Sequence, residues 1–128
     1  MQTVHTIQAV RDFVKNAKQQ GKTVGFVPTM GNLHAGHIHL VHQAKTQCDV
    51  VLCSIFVNPT QFGPNEDLDK YPRNLEGDKT LVTSKGGDLI FAPEVNEMYP
   101  EEIYTFVNTS VLDNNLCGLK RPGHFRGV

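Results

Sequence analysis

Apolar residues at Ile7, Val10, Phe13, Val14 and Ala17 recur every three or four positions. That is the spacing of one helix face, and it predicts a helix over Thr6 to Gln20, closed by Gly21, the residue type that best follows a helix. The pattern then changes. Thr23 to Val27 is short, β-branched and apolar and ends at Pro28, which predicts a buried strand. Pro28 to Gly36 carries two glycines and reads as a loop. Helical spacing returns from Gly36 to Gln47, with Ile38, Val41, Ala44 and Cys48 facing inward and His39 and His42 facing solvent. Asp49 to Val57 is a near-continuous apolar run, as expected of a parallel strand covered on both faces. A polar loop from Asn58 to Arg73 leads to a helix over Leu75 to Ser84, stopped by Gly86-Gly87. Asp88 to Pro93 predicts a third buried strand, and Ile103 to Val107 a fourth, nearer an edge.

Strands alternating with helices imply an α/β fold with a parallel, doubly wound, Rossmann-like sheet. Such sheets bind ligands beyond the carboxyl ends of their strands. The loops after Val27, Val57 and Phe91 all open on that edge, so the chemistry of the chain is expected there.

The composition narrows the picture. At 128 residues and 39% hydrophobic, residues 1–128 suit one domain with one core. Twelve Lys and Arg against 13 Asp and Glu leave a net charge of -1, with no basic excess to neutralise a phosphate backbone, so nucleic acid is not the expected partner. The apolar runs fall far short of the ~20 residues of a membrane span, and Met1 to His5 lacks the basic start and apolar block of a secretory signal. Cys48, Cys53 and Cys117 are odd in number, lack CxxC spacing and have apolar neighbours. They predict buried thiols, no zinc site and a cytoplasmic protein.

Four of the six histidines, His34, His37, His39 and His42, crowd into the stretch 34–42. The segment Pro28-Thr29-Met30-Gly31-Asn32-Leu33-His34-Ala35-Gly36-His37 joins a strand to a helix. Gly36 lets a ligand approach the backbone, and N–H groups at a helix start favour anions. Two imidazoles added to that make a phosphate cradle able to stabilise charge, or donate a proton, at a phosphorus under attack. A blander reading has His34 capping a turn and His37 packed in a crevice. A shared metal ion is disfavoured because no carboxylate or cysteine stands at ligand spacing. In the segment Ser54 to Gly63, Asn58 and Gln61 carry amides that both donate and accept, suited to a substrate with hydroxyl and carboxylate groups, and Phe62 offers an apolar wall. The alternative is an ordinary Asn-Pro turn. The charged loop Asn65 to Arg73 is either a lid or merely solvated. Arg121 and His124 either bind an anion or belong to a basic tail.

Taken together, the segments Pro28–Gly31 with His34-Ala35-Gly36-His37, Phe56-Val57-Asn58-Pro59-Thr60-Gln61-Phe62-Gly63, Tyr71-Pro72-Arg73 and Arg121-Pro122-Gly123-His124-Phe125 resemble the pantoate–β-alanine ligase (pantothenate synthetase) family. Phe91-Ala92-Pro93 and Met98-Tyr99-Pro100 fit as well. HxGH alone marks only the wider nucleotidyltransferase superfamily; the combination is far more specific. The resemblance implies an ATP-dependent, AMP-forming ligase that condenses pantoate with β-alanine through pantoyl adenylate, with Mg2+ accompanying ATP and a homodimer as the intact protein. By similarity, Met30, Gly31, Asn32, Leu33, His34, Ala35, Gly36 and His37 line the ATP site, with His37 the proton donor and His34 a phosphate partner. Gln61 holds pantoate and lies near the β-alanine site, supported by Asn58 and Phe62. Pro28 and Thr29 join the substrate site, Tyr71 belongs to a gate loop, and Arg121 and His124 to the inner wall of the pocket.

Two departures stand out. Many relatives read Gly-Ala-Leu-His-Glu-Gly-His where this chain has Asn32 and Ala35. Relatives are also considerably longer, with a lysine-containing and a serine-rich loop on the ATP phosphates that do not occur before Val128. The sequence is therefore expected to be the N-terminal nucleotide-binding part, inactive or weakly active alone. A different HxGH adenylyltransferase and a non-catalytic nucleotide-binding piece are the competing readings.

Overall fold

The computed structural model describes residues 1–128. The chain runs β1 (Gln2–Val4), α1 (Ile7–Gln19), β2 (Val24–Thr29), α2 (Ala35–Gln47), β3 (Val50–Ile55), α3 (Leu75–Ser84), β4 (Leu89–Phe91), and the short helices α4 (Val95–Met98), α5 (Cys117–Lys120) and α6 (His124–Gly127). The four strands form one sheet in the order β1-β4-β3-β2, and every pairing is parallel. The alternation of strand and helix thus folds as its pattern predicts. No helix is long and apolar enough to cross a membrane.

Local chemistry sets the boundaries. Thr6 caps α1, its hydroxyl accepting the Ala9 N–H at 3.3 Å, and Glu97 accepts the Ile7 N–H at 2.7 Å. Gly21 takes a left-handed φ of 73° just after α1, a conformation that costs glycine little. Strand β2 runs on through Pro28 to Thr29. Proline is tolerated there because β2 is the outermost strand and need not donate on both sides.

The side chains of β3 and β4 divide between two faces. Val51, Cys53 and Ile90 pack with Val27, Val41 and Val82 beneath α2 and α3. Leu52, Leu89 and Phe91 pack with Val4 against Ile7, Val10 and Phe13 of α1. This is the doubly wound arrangement, with helices on both faces of the sheet. Ile90 has no exposed surface. Truncating a fully buried Ile leaves a cavity as well as losing transfer energy, so Ile90→Ala is expected to destabilise the fold by about 2–5 kcal/mol. Urea unfolding checks this as a lower midpoint at unchanged slope.

Two expectations need correcting. Ile103–Val107 is not a strand; it is an irregular, mostly exposed segment in which Arg126 stacks 3.5 Å from the Phe106 ring centroid. The fourth strand is Gln2–Val4, whose Thr3 pairs with Ile90. Strand propensity at 103–107 is real, but strands need a neighbour to bond, and the place beside β4 is taken by β1. Nor are all three cysteines buried: Cys53 is, Cys48 is half-buried and Cys117 is exposed. Burial pushes the Cys53 thiol up to about 11, leaving it protonated and unreactive. His39 and His42 are exposed, as their helix positions predict.

Candidate functional site

The site begins where the chain leaves β2. Thr29 is buried and its hydroxyl donates to the Ser54 carbonyl at 2.7 Å while accepting the Gly31 N–H at 3.2 Å. The backbone then turns through two left-handed residues, Gly31 (φ 79°) and Asn32 (φ 51°). Asparagine is among the few non-glycine residues that accept this conformation, which suits Asn32 to its place in the turn. A side chain at position 31 would sit 3.1 Å from Asp78 Oδ2 and from the Ile55 side chain. From α3, the buried carboxylate of Asp78 accepts the Asn32 N–H at 3.0 Å and the Leu33 N–H at 2.8 Å. Leu33 packs on the core.

The loop delivers His34 and His37 to the start of α2. His34 is the N-cap: its Nδ1 accepts the Gly36 N–H at 3.1 Å. His37 Nδ1 accepts the His34 N–H at 3.3 Å. The rings lie 4.1 Å apart between centroids. A ring nitrogen that accepts a backbone N–H carries no proton in the neutral imidazole, so each ring holds its proton on Nε2. Capping by His34 therefore does not compete with a ligand role. It uses Nδ1 and leaves two Nε2–H donors side by side without protein partners. Burial holds the His37 pKa below the ordinary histidine value, the neighbouring His34 ring lowers it further, and Asp78 opposes both. His37 is thus a neutral donor at pH 7.

A cleft of about 500 Å³ lies over the carboxyl ends of the strands. Pro28, Thr29, Met30 and His37, from the end of β2 and the start of α2, line it together with Phe56, Asn58, Gln61, Tyr71 and Phe91. A smaller cavity of about 270 Å³ adjoins it, sharing Met30 and Phe56 and reaching Gly31, Asp78 and Arg73. Asn32, Leu33, His34, Ala35 and Gly36 do not line the cleft. They border it through the loop and the first turn of α2. A Cβ at Gly36 would come within 3.0 Å of the His34 ring.

The second loop is held by its backbone and by Asn58. The Asn58 carboxamide oxygen accepts the Thr60 N–H at 3.1 Å and the Tyr99 hydroxyl at 3.0 Å, and its amide donates to the Gly127 carbonyl at 3.1 Å. The Asn-Pro turn predicted as the blander reading does form, and its asparagine is engaged in scaffolding. Gln61 differs. Its carbonyl accepts from Arg121 at 3.2 Å and contacts His124 Nδ1 at 3.0 Å, while its side-chain amide has no protein partner and lines the cleft. Arg121 also donates through Nε to both Glu66 oxygens at 2.9 and 3.0 Å. That contact holds the Glu66 carboxyl below its usual range and the Arg121 guanidinium above its own. Arg121 and His124 therefore stand behind the Gln61 loop and do not line the cleft. Phe62 also stands behind it, edge-on to Tyr71 at 5.8 Å between centroids.

Pattern reading of the sequence assigns no role to three residues: Asp78, Tyr99 of the matching Met98-Tyr99-Pro100 segment, and Glu66 of the charged loop. Asp78 left a signal. It lies three residues after Leu75 and four before Val82, on the inward stripe of α3, where a carboxylate demands a buried partner. The contacts of Tyr99 and Glu66 left none, because their partners are distant in sequence. No three His, Cys, Asp or Glu side chains gather in a group able to hold a metal ion.

Against known proteins, a profile described as pantoate-beta-alanine ligase matches residues 2–128. The pantothenate synthetase of Alcanivorax borkumensis is 57% identical over 129 residues, covering 100% of this chain and 45% of its own length. A solved pantothenate synthetase from Thermus thermophilus superposes with a TM-score of 0.90 at 48% identity, over 99% of this chain and 45% of that one. A pantoate–β-alanine ligase from Francisella tularensis, solved with βγ-ATP and β-alanine, superposes at 0.89 with 40% identity, over 99% of this chain and 49% of its own. The chain spans about 45% of the length of such relatives. With its strand–loop–helix histidine pair, its Gln61 loop and a match along essentially its entire length, the chain belongs to the pantoate–β-alanine ligase family.

Proposed function

We propose that these residues form the N-terminal nucleotide-binding domain of an enzyme that joins pantoate to β-alanine at the expense of ATP. A pantoate carboxylate oxygen attacks the α-phosphorus of ATP, forming pantoyl adenylate and releasing pyrophosphate. The β-alanine amine then attacks the acyl carbon, the acyl–phosphate bond breaks, and AMP and pantothenate leave. The observation that carries this reading is the pair of unpartnered Nε2–H donors at the edge of the cleft that Gln61 lines. The Francisella relative's complex with βγ-ATP and β-alanine supports it.

In this reading Met30 to His37 border the ATP. His37 donates its Nε2 proton toward the phosphate oxygens as negative charge builds there, and His34 adds a second hydrogen bond. Catalytic donors aimed at developing charge are worth most when they need no reorganisation, and both rings are already fixed through Nδ1. The Gln61 amide takes the hydroxyl and carboxylate oxygens of pantoate, with Pro28, Thr29 and Tyr71 enclosing it. Asn58, Phe62, Arg121 and His124 support the Gln61 loop. The residues here provide no cage for Mg2+; the ion belongs with the triphosphate, whose oxygens and water suit it. The intact protein is a cytoplasmic homodimer without a nucleic-acid or membrane partner.

The test uses a chain of the relatives' full length that carries these 128 residues. Pyrophosphate release from ATP should require pantoate but not β-alanine, and pantothenate should form only with both. Release that ignores pantoate and follows another carboxylate would assign a different adenylyltransferase.

A further inference from the structure

We propose that Asp78 is a positioning residue for the adenylation step: from α3 it holds the Gly31–Leu33 turn, and through that turn it sets the two imidazoles at the edge of the cleft. The inference rests on the function proposed above but stands on separate geometry.

Asp78 is 4% exposed. Its two oxygens are divided between two consecutive backbone donors, Oδ2 to Asn32 and Oδ1 to Leu33. No lysine or arginine pairs with it. A buried carboxylate without a counter-ion is costly unless N–H groups replace its water. Here those N–H groups belong to a turn that makes few other bonds. Asn32 is held in the left-handed region at φ 51°, a conformation that persists only where surroundings impose it. The imposing group is the carboxylate.

The turn leads directly into His34. Its N–H donates to His37 Nδ1, and its own Nδ1 receives the Gly36 N–H. Rotation of the backbone at Asn32–Leu33 would therefore break the contact that fixes the proton on His37 Nε2. Close packing at Gly31 makes the coupling tight. Gly31 has no side chain because Asp78 Oδ2 and Ile55 already occupy that space. Asp78 also lines the cavity that Met30 and Phe56 separate from the main cleft. Of the titratable groups near His37, His34 and Asp78 act on its charge, and Tyr71 lines the same cleft.

Asp78→Asn keeps the shape but offers one acceptor where two are needed and turns an N–H donor toward a backbone donor. In the full-length protein this variant should lose tenfold or more in kcat for pantoyl-adenylate formation, with the KM for pantoate changed less than threefold. Removing a negative charge that raises the His37 pKa should also shift the acid limb of kcat/KM to lower pH. A variant that lost activity only because its fold is weakened would leave that limb in place. The same shift should appear in the His37 ring titration followed by NMR, which requires no turnover. That readout separates the two ideas: parent protein without adenylation activity would sink the proposed function, whereas His37 titrating identically in parent and Asp78→Asn would sink this one. A folded Asp78→Asn with kcat within twofold of the parent would also overturn it. If Asp78→Asn does not fold, Asp78→Glu decides. It keeps the charge but displaces the turn, so kcat should fall tenfold with the acid limb in place; an unchanged kcat overturns the assignment.

Discussion

His37→Ala, in a chain of the relatives' full length, is expected to slow pantoyl-adenylate formation about 10²–10³-fold, the loss of about 2.7–4 kcal/mol that follows removal of one preorganised donor from a site of developing charge. The fall should appear in kcat more than in the KM for ATP, because the Nε2–H donor matters most when negative charge accumulates on the transferring phosphate. His37→Gln sharpens the result. A glutamine amide can reach a similar point and donate a hydrogen bond, but it cannot release a proton at neutral pH. Recovery of most of the rate by Gln would assign His37 to charge stabilisation as a neutral donor; no recovery would mean that the bound triphosphate first draws a proton onto His37 and that the imidazolium transfers it. Because His37 Nδ1 also accepts the His34 N–H, thermal melts of both variants must accompany the kinetics. A folded His37→Ala with a rate within threefold of the parent would remove the histidine pair from the chemistry.

Gln61→Leu is the second large effect. The Gln61 carbonyl is held by Arg121 and His124, so the substitution leaves the loop anchored while deleting the amide that lines the cleft. A hydrogen bond to a charged partner is worth about 1.5–3 kcal/mol, so kcat/KM for pantoate should fall roughly 10- to 150-fold at about 1.4 kcal/mol per decade. The KM for ATP should hold. Initial rates over a pantoate series settle it: an unchanged pantoate dependence would mean that the acid binds elsewhere, the cavity beside Asp78 and Arg73 being the next place to look.

Much of this architecture is legible in the sequence because it depends on local periodicity. Strand β3 announces itself by an unbroken apolar run, and α1 by its three-and-four spacing. Strand β1 does not. Three residues, Gln2, Thr3 and Val4, are too few to show alternation, and they become a strand only because β4 offers them a bonding edge. The opposite error at Ile103–Val107 has the same cause: propensity without a partner leaves Tyr104 and Val107 more than four-fifths exposed. In the site, His34, His37 and Gln61 stand out by residue type and by position at strand ends. What type cannot reveal is which atoms are already occupied. Asn58 and Gln61 look equivalent in sequence, yet one amide is consumed by Thr60, Tyr99 and Gly127 and the other is free. Arg121 and His124 look like anion binders but face the Gln61 backbone and Glu66. These distinctions arise from contacts between residues far apart in the chain.

Strand β2 is at once the outermost in the sheet and the one that hands the chain to the histidine loop. Its outer amides and carbonyls are unspent, and Phe26 stands 57% exposed along it. Any adhesive encounter along that border therefore presses on the segment that aims the imidazoles. In a crowded solution, clumping of copies and decay of the site geometry would arrive together, through the same few peptide groups.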